Sequence, residues 1–473
     1  MTESTQPAGR ESLAWLWAGL GAGLAYLVVL LGIIATDRIP ERAGFDDIMC
    51  HEPTIREFAR QWPRLDFTDY LSATTPGYHL LLAMVVKFVA PERHVLQGVG
   101  ALIASGWIGL MVAGVARRAG PWLGVAFVLP IAFSAYVVQS GAYLLPDNLS
   151  WLLLYASLVL CLGTWSVRGA LGFGLALLLA VLVRQPLLWL AGVAWAAAWL
   201  SPTQVRGGAR LWATALREKF RTRLWRTGLA IGVSLPAMGA LWYFVSIWHG
   251  LTVPRFQGLH QALGYSTPVF VLANVGFSSL FFGASLWPVL RQVWSRARGL
   301  VLAAGVSGAA LGALQPSTMS FEAGRFSGLW TIGSLLPSVG HVSLFMFSLA
   351  TVGGVALLGW LMMLGLRQRL ILVVAILGFV AAQTMNHLTA QRYVEPFLLM
   401  LIPLGASRVV ALVPPVGRRW LLVGPLLYVG FMLVVNAQAF RGSMTIESYP
   451  RDTAYVEGGP YVRPEDRAGP QQP

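Results

Sequence analysis

Charge is scarce in this chain: Asp, Glu, Lys and Arg together make up 11% of its 473 residues. Lysine is nearly missing, with only Lys87 and Lys219 among the 34 basic residues. That bias toward arginine suits a GC-rich bacterial genome and says nothing about mechanism. The 2 cysteines, Cys50 and Cys161, make neither a disulfide framework nor a metal-ligand pattern, and read as small buried or interfacial side chains. No Asp-x-Asp or His-Glu-x-x-His pattern argues for a tightly bound metal. No internal repeat or low-complexity stretch stands out. What abounds is apolar: 56% of residues, with a mean hydropathy of +0.64. A soluble globular domain is excluded, and repeated apolar runs mark an all-α, polytopic transmembrane bundle.

Candidate spans fall near 13–36, 95–116, 121–139, 147–166, 169–184, 186–200, 227–247, 268–290, 299–314, 340–366, 370–385, 396–414 and 420–437, or about 13 crossings. The first lacks a small-residue cleavage site and reads as retained. The run Tyr78 to Ala90 is shorter than the ~20 residues needed to cross hydrocarbon and carries Lys87, so it reads as a juxtamembrane or re-entrant helix. With the N-terminus cytoplasmic, Arg117, Arg118, Arg168, Arg206 to Arg226, Arg291 to Arg298, Arg367, Arg369, Arg418 and Arg419 all fall inside, as the positive-inside rule asks. The net charge of +14 is thereby explained as orientation signals that also meet anionic lipid, rather than as a nucleic-acid surface.

This reading divides the chain into a cytoplasmic 1–12, a module 13–200 with a long outer loop 37–94, a basic inner loop 201–226, a second membrane module 227–437 and a polar tail 438–473. It also gathers most acidic and aromatic polar residues on the outer side. In the first loop, Asp46-Asp47-Ile48-Met49-Cys50-His51-Glu52-Pro53 is followed by an interfacial helix, Pro53 to Arg60, and then by Ala73-Thr74-Thr75-Pro76-Gly77-Tyr78-His79. Proline and glycine after the threonines make a turn that launches the short helix. Ionisable groups beside a membrane are expensive unless they face water, a partner or a substrate. The outer face is therefore where an active site belongs.

The order of span, acidic pair, interfacial helix, Pro-anchored short helix and span ending in Arg117-Arg118 resembles the GT-C superfamily of membrane glycosyltransferases. Within it the chain is most similar to the dolichyl-phosphate-glucose-dependent alpha-1,2-glucosyltransferase family. That family's Asp-Glu-Ile-x-His-x-Pro segment is echoed by Asp46 to Pro53, with Asp for Glu and one extra residue before His51. Its Thr-Thr-Pro-Pro-Gly-Leu-Tyr element is echoed by Thr74-Thr75-Pro76-Gly77-Tyr78, one proline short. Its Arg-Gln-x-x-x-Trp element is matched by Arg184-Gln185-Pro186-Leu187-Leu188-Trp189, and its Tyr-Thr-Asp element only loosely by Pro146-Asp147. The resemblance is specific over about 45–190. The C-terminal half matches only as apolar spans with polar outer loops.

The resemblance implies a polyprenyl-phosphate sugar as donor, a glycan or lipid acceptor, and no resident cofactor, although some GT-C enzymes use a divalent ion. It also implies Asp46 as the base, with Asp47 orienting it or the acceptor. The competing reading is that both carboxylates cap the following helix. His51 returns to the same helical face, or is an ordinary interfacial histidine. Arg184 and Gln185 would hold the donor phosphate, against the alternative that Arg184 is a snorkelling anchor. Arg392-Tyr393 looks like the basic-aromatic element that GT-C enzymes carry before a late helix. Asp147, Thr75, His387 and His260 complete the candidates, with His249, Arg255 and Gln261 as acceptor contacts. The expected activity is inverting hexosyl transfer, glucose favoured, on the outer face of a bacterial inner membrane. The rivals are a transporter or flippase, or a polymerase or ligase, for a lipid-linked glycan. A transporter places polar groups near mid-membrane in broken helices, and ligases rely on large arginine-rich outer loops.

Overall fold

In hydrocarbon only a helix satisfies a backbone within its own segment, and the apolar runs accordingly fold as helices. The computed structural model describes residues 13–201, 220–257, 263–318, 328–386 and 390–450. The first half contains α1 (Ala14–Ile34), a π-helical turn (Phe45–His51), α2 (Glu52–Gln61), α3 (Gly77–Phe88), α4 (Arg93–Ala119), α5 (Pro121–Ala132), α6 (Ala135–Ala142), α7 (Asp147–Leu162) and α8 (Val167–Val183). A 3-10 turn (Gln185–Trp189) leads to α9 (Leu190–Trp199). The second half contains α10 (Phe220–Trp248), α11 (Thr267–Phe281), α12 (Gly283–Leu314), α13 (Leu344–Met362), α14 (Leu366–Thr384), α15 (Gln391–Val409) and α16 (Trp420–Arg441).

Among the described residues, eight helices are long and apolar enough to cross a bilayer, or nine if the bent pair α5–α6 is one span. The chain is thus a multi-pass membrane protein. The figure of about 13 counted α7, α8, α9 and α11 as full crossings, yet they have 16, 17, 10 and 15 residues. The interfacial helix and the Pro-launched short helix both form, as α2 and α3.

Two expected spans are interrupted. The run 121–139 bends by 77° between α5 and α6. Pro130 lacks an N–H and weakens the turn before the break. The freed Phe133 carbonyl accepts from Asn436 Nδ2 at 2.7 Å, and Ser134 Oγ donates to Glu395 at 2.5 Å. Polar groups exposed by the bend are therefore answered by α16 and α15. The run 268–290 breaks at Phe282, and α12 kinks at Ala297 (φ −152°, ψ 51°).

Lipid tails are as apolar as leucine, so small residues set how closely membrane helices pack. Gly276 of α11 and Gly353 of α13 let those helices touch backbone to backbone. One hydrophobic core runs through both halves, from Leu30 and Trp107 to Phe270, Trp360 and Phe397. At one end of the bundle, β1 (Arg38–Ile39) pairs antiparallel with β4 (Met444–Thr445), tying the first loop to the end of α16. Tyr143 Oη donates to the Arg38 carbonyl at 2.9 Å and Tyr449 Oη to that of Glu41 at 2.9 Å, which fixes the entry to the π-turn. A second hairpin, β2 (Ser338–Val339) with β3 (Val342–Ser343), precedes α13.

A methyl at Gly353 would lie 1.9 Å from the Leu272 carbonyl oxygen, whereas one at the exposed Gly239 meets nothing within 4 Å. Gly353→Ala should therefore destabilise the protein by about 1–3 kcal/mol. Gly239→Ala should be neutral or stabilising, since alanine favours helix. Thermal unfolding in one detergent checks this; equal midpoints for the two variants would contradict the packing.

Candidate functional site

The site lies where α4, α7 and α15 begin and α8 ends. Its centre is two ion pairs that meet at one tyrosine ring. Asp46, on the π-turn, forms an ion pair with Arg392 of α15, a residue 346 positions away. Arg392 Nη2 donates to Tyr393 Oη at 2.6 Å, and its guanidinium carbon lies 4.9 Å from the Tyr393 ring centroid. Arg184 lies against the same ring at 4.7 Å. Its other partner is Asp147 at the start of α7, with Nη2 2.7 Å from Oδ1. Two guanidinium groups thus share one aromatic ring, and each has a carboxylate beside it. The arrangement is accessible: the Asp46 and Arg392 side chains are 19% and 34% exposed.

Adjacent residues on a helix point in different directions, and on the π-turn Asp46 and Asp47 serve different partners. Wider than an α-helix, such a turn often marks a functional position. The contacts of the two carboxylates run to other segments, Asp46 to Arg392 and Asp47 to Arg93. Asp47 is fully buried and pairs with Arg93, which also pairs with Glu52. The Leu144 N–H donates to it as well. Burial pushes the Asp47 carboxyl up to about 6, with Arg93 pulling the other way and Glu52 adding to the rise. For Asp46, burial also raises, but Arg392, with His51 and Arg184, wins and holds the carboxyl below its ordinary range. Asp46 is therefore ionised at neutral pH.

His51 is buried, with Nδ1 2.9 Å from Nε2 of His79 and 3.5 Å from Ser72 Oγ. Burial pushes its imidazole down to about 4 against the pull of Asp46 and Asp147, so it is neutral near pH 7. Thr75 and Gln185 form a clasp beside the ion pairs. The Thr75 N–H donates to Gln185 Oε1 at 3.2 Å, and Thr75 Oγ1 donates to the Val181 carbonyl at 2.6 Å. Gln185 Nε2 donates to the carbonyls of Ala73 and Leu251 at 2.8 and 3.1 Å. Their side chains are engaged with backbone, holding the Thr-Thr-Pro turn against α8.

Asp46, Asp147, Arg184, Arg392 and Tyr393 thus come together, Asp47 and His51 stand directly behind Asp46, and Thr75 and Gln185 brace the wall. Arg255 is spent on a surface pair with Asp69, at 2.6 Å, and His249 is exposed. His260, Gln261 and His387 lie outside the described residues. Sequence reasoning missed Arg93, His79 and Glu395. Arg93 left one signal, an arginine at the acidic end of a span where the positive-inside rule does not call for one. Glu395 is 2% exposed and takes bonds from Ser134 and Gln391, anchoring α15 to the bend after α5. Among the described residues, no three His, Cys, Asp or Glu side chains gather as a metal-ligand set.

No family model and no curated protein matches the chain. Among solved structures, ArnT from Cupriavidus metallidurans bound to undecaprenyl phosphate is similar at 16% identity and a TM-score of 0.41. The match covers 94% of this chain and 80% of that one. A superposition at that level carries no argument about activity.

Asp47 supplies a test of the buried geometry. Its carboxyl titrates near 6 when folded against an ordinary value of 3.8, so between those values the folded chain holds the extra proton. That contribution is fully present below the ordinary value and lost as pH rises through about 6. Relative to Asp47→Asn, the wild-type unfolding midpoint should therefore fall between pH 4 and pH 7. A difference independent of pH, or one of opposite sign, would contradict the burial of Asp47.

Proposed function

We propose that the chain is a GT-C-type membrane glycosyltransferase. It takes a hexose, glucose favoured, from a polyprenyl-phosphate sugar and passes it with inversion to a hydroxyl of a glycan or lipid acceptor. The work is done on the extracytoplasmic face of a bacterial inner membrane. The observation that carries this reading is the convergence of Arg184 and Arg392 on one tyrosine ring beside the ionised Asp46. Three chain segments far apart in sequence supply them, and the motif similarity over 45–190 had singled out Asp46 and Arg184 on other grounds.

The chemistry follows from these parts. The acceptor oxygen attacks the anomeric carbon as the bond from that carbon to the phosphate oxygen breaks. The transition state is oxocarbenium-like, as in glycoside hydrolysis. The hydroxyl becomes acidic only as the new bond forms, so a carboxylate of low pKa suffices to take its proton. Polyprenyl phosphate departs with the bonding pair, and guanidinium groups suit its oxygens because they offer two parallel N–H donors. Without donor, Asp46 and Asp147 occupy the arginines and keep them in place. The donor is a phosphodiester with one negative charge, and its two free oxygens offer Arg392 a bidentate partner in exchange for Asp46, which is then released to act as base. Charged groups at helix ends, rather than at mid-membrane, fit transfer chemistry better than transport.

A purified-enzyme assay with radiolabelled polyprenyl-phosphate glucose tests the reading. Asp46→Asn keeps the size of the side chain but not its basicity, and transfer should fall by ~10²-fold or more. Arg184→Lys and Arg392→Lys keep charge but lose the planar fork, and donor affinity should drop roughly 10- to 150-fold. Full turnover in Asp46→Asn would remove the base. Wild-type donor affinity in both lysine variants would mean that a charged head on a long stem is enough, as for a snorkelling anchor.

A further inference from the structure

A cavity of about 560 Å³ lies at the opposite end of the bundle from the candidate site. That it is the opposite end follows from the helices themselves. α4 carries Arg93 at its start and Arg117 and Arg118 in its last turn, and α15 runs from Arg392 to Arg408. With 27 residues, α4 separates the two ends by about 40 Å. The cavity is walled by the far ends of α4, α7, α13 and α15 and by α14, with Tyr155, Trp360, Leu372, Ile376 and Leu398 among its apolar surfaces. Its volume is typical of small-molecule sites.

The lining changes character along its length. Arg117, Arg118 and Arg408 all border the cavity, with Gln368 between helices, and among the described residues no Asp or Glu lines it. Arg408 Nη2 donates to Gln368 Oε1 at 2.6 Å, and Arg117 packs over the Trp15 ring at 5.8 Å. Both contacts leave the arginine charges without a carboxylate. Arginines near helix C-termini also answer the helix dipole, so that effect must be subtracted. Four C-termini (α4, α7, α13, α15) bring about −0.5 charge each and the α14 N-terminus about +0.5, which three full positive charges exceed. The cavity keeps a positive surplus.

We infer that this cavity binds one molecule of an anionic phospholipid, its phosphate held by Arg117, Arg118 and Arg408 and an acyl chain lying along the apolar wall. Free phosphate would leave that wall unused, and a zwitterionic lipid would leave the surplus charge unmatched. Basic pockets between membrane helices are suited to anionic headgroups on physical grounds. The inference is independent of the proposed transferase activity, because no residue of the candidate site takes part.

Native mass spectrometry of the delipidated full chain in detergent tests it. With phosphatidylglycerol the wild type should retain one lipid, at least tenfold more tightly than phosphatidylcholine. The triple variant Arg117→Gln/Arg118→Gln/Arg408→Gln should lose that preference while eluting as a single species in size exclusion. Millimolar inorganic phosphate should not displace the lipid. Equal retention of the two lipids by the wild type would overturn the inference without reference to any variant. So would an unchanged preference in the triple variant, or displacement of phosphatidylglycerol by inorganic phosphate, which would mark a site for a free anion.

Discussion

The rest of the site depends on the ion pair between Asp46 and Arg392. It joins the first loop to the start of α15 and anchors one end of the run of contacts that continues through Tyr393 and Arg184 to Asp147. Such charges are expensive to place away from water, and single members left unpaired would be worse still. A carboxylate beside each guanidinium, with the tyrosine ring between the two arginines, answers that cost locally. Position answers the remainder, because the charges sit at helix ends where water or a polar ligand can reach them. Packing in the body of the bundle is then free to be apolar and close, as at Gly276 and Gly353.

Several supporting contacts exist to hold this pair in register. The β1–β4 pairing and the tyrosine bonds to Arg38 and Glu41 fix where the π-turn starts. Arg93 then draws Asp47 and Glu52 toward α4, which turns Asp46 the other way, toward Arg392. On the α15 side, Glu395 binds Ser134 at the bend between α5 and α6, so the bend is part of the site's foundation. The Thr75–Gln185 clasp sets the end of α8, and with it Arg184. A loop, a bent span and a helix start are thus tied to one another by side-chain bonds.

Much of this was legible in the sequence because charge is so rare in it. Asp46, Arg184 and Arg392 stood out as polar residues bordering apolar runs, and the Pro76-Gly77 turn announced α3. The arrangement was less legible. Nothing in the local pattern says which arginines Asp46 and Asp47 meet: adjacent helical residues diverge, and their partners Arg392 and Arg93 are supplied by the tertiary fold. Gln185 reads as a ligand from its motif, but its amide is consumed by backbone partners that only the tertiary fold brings near. The bend after Pro130 was hidden for a similar reason, since Asn436 and Glu395, which make it tolerable, lie far along the chain. The count of about 13 spans is not confirmed, because it includes helices of 10 to 17 residues, shorter than the ~20 that cross hydrocarbon unaided.

The central claim is that phosphate and Asp46 compete for Arg392, so that donor binding frees the carboxylate it needs. The affinity of purified wild type and Asp46→Asn for polyprenyl phosphate, measured in nanodiscs, tests it most directly. Removing the competing charge should tighten phosphate binding severalfold, even as transfer is lost. Weaker binding in Asp46→Asn would show that the carboxylate positions Arg392 without yielding it, and would contradict the exchange.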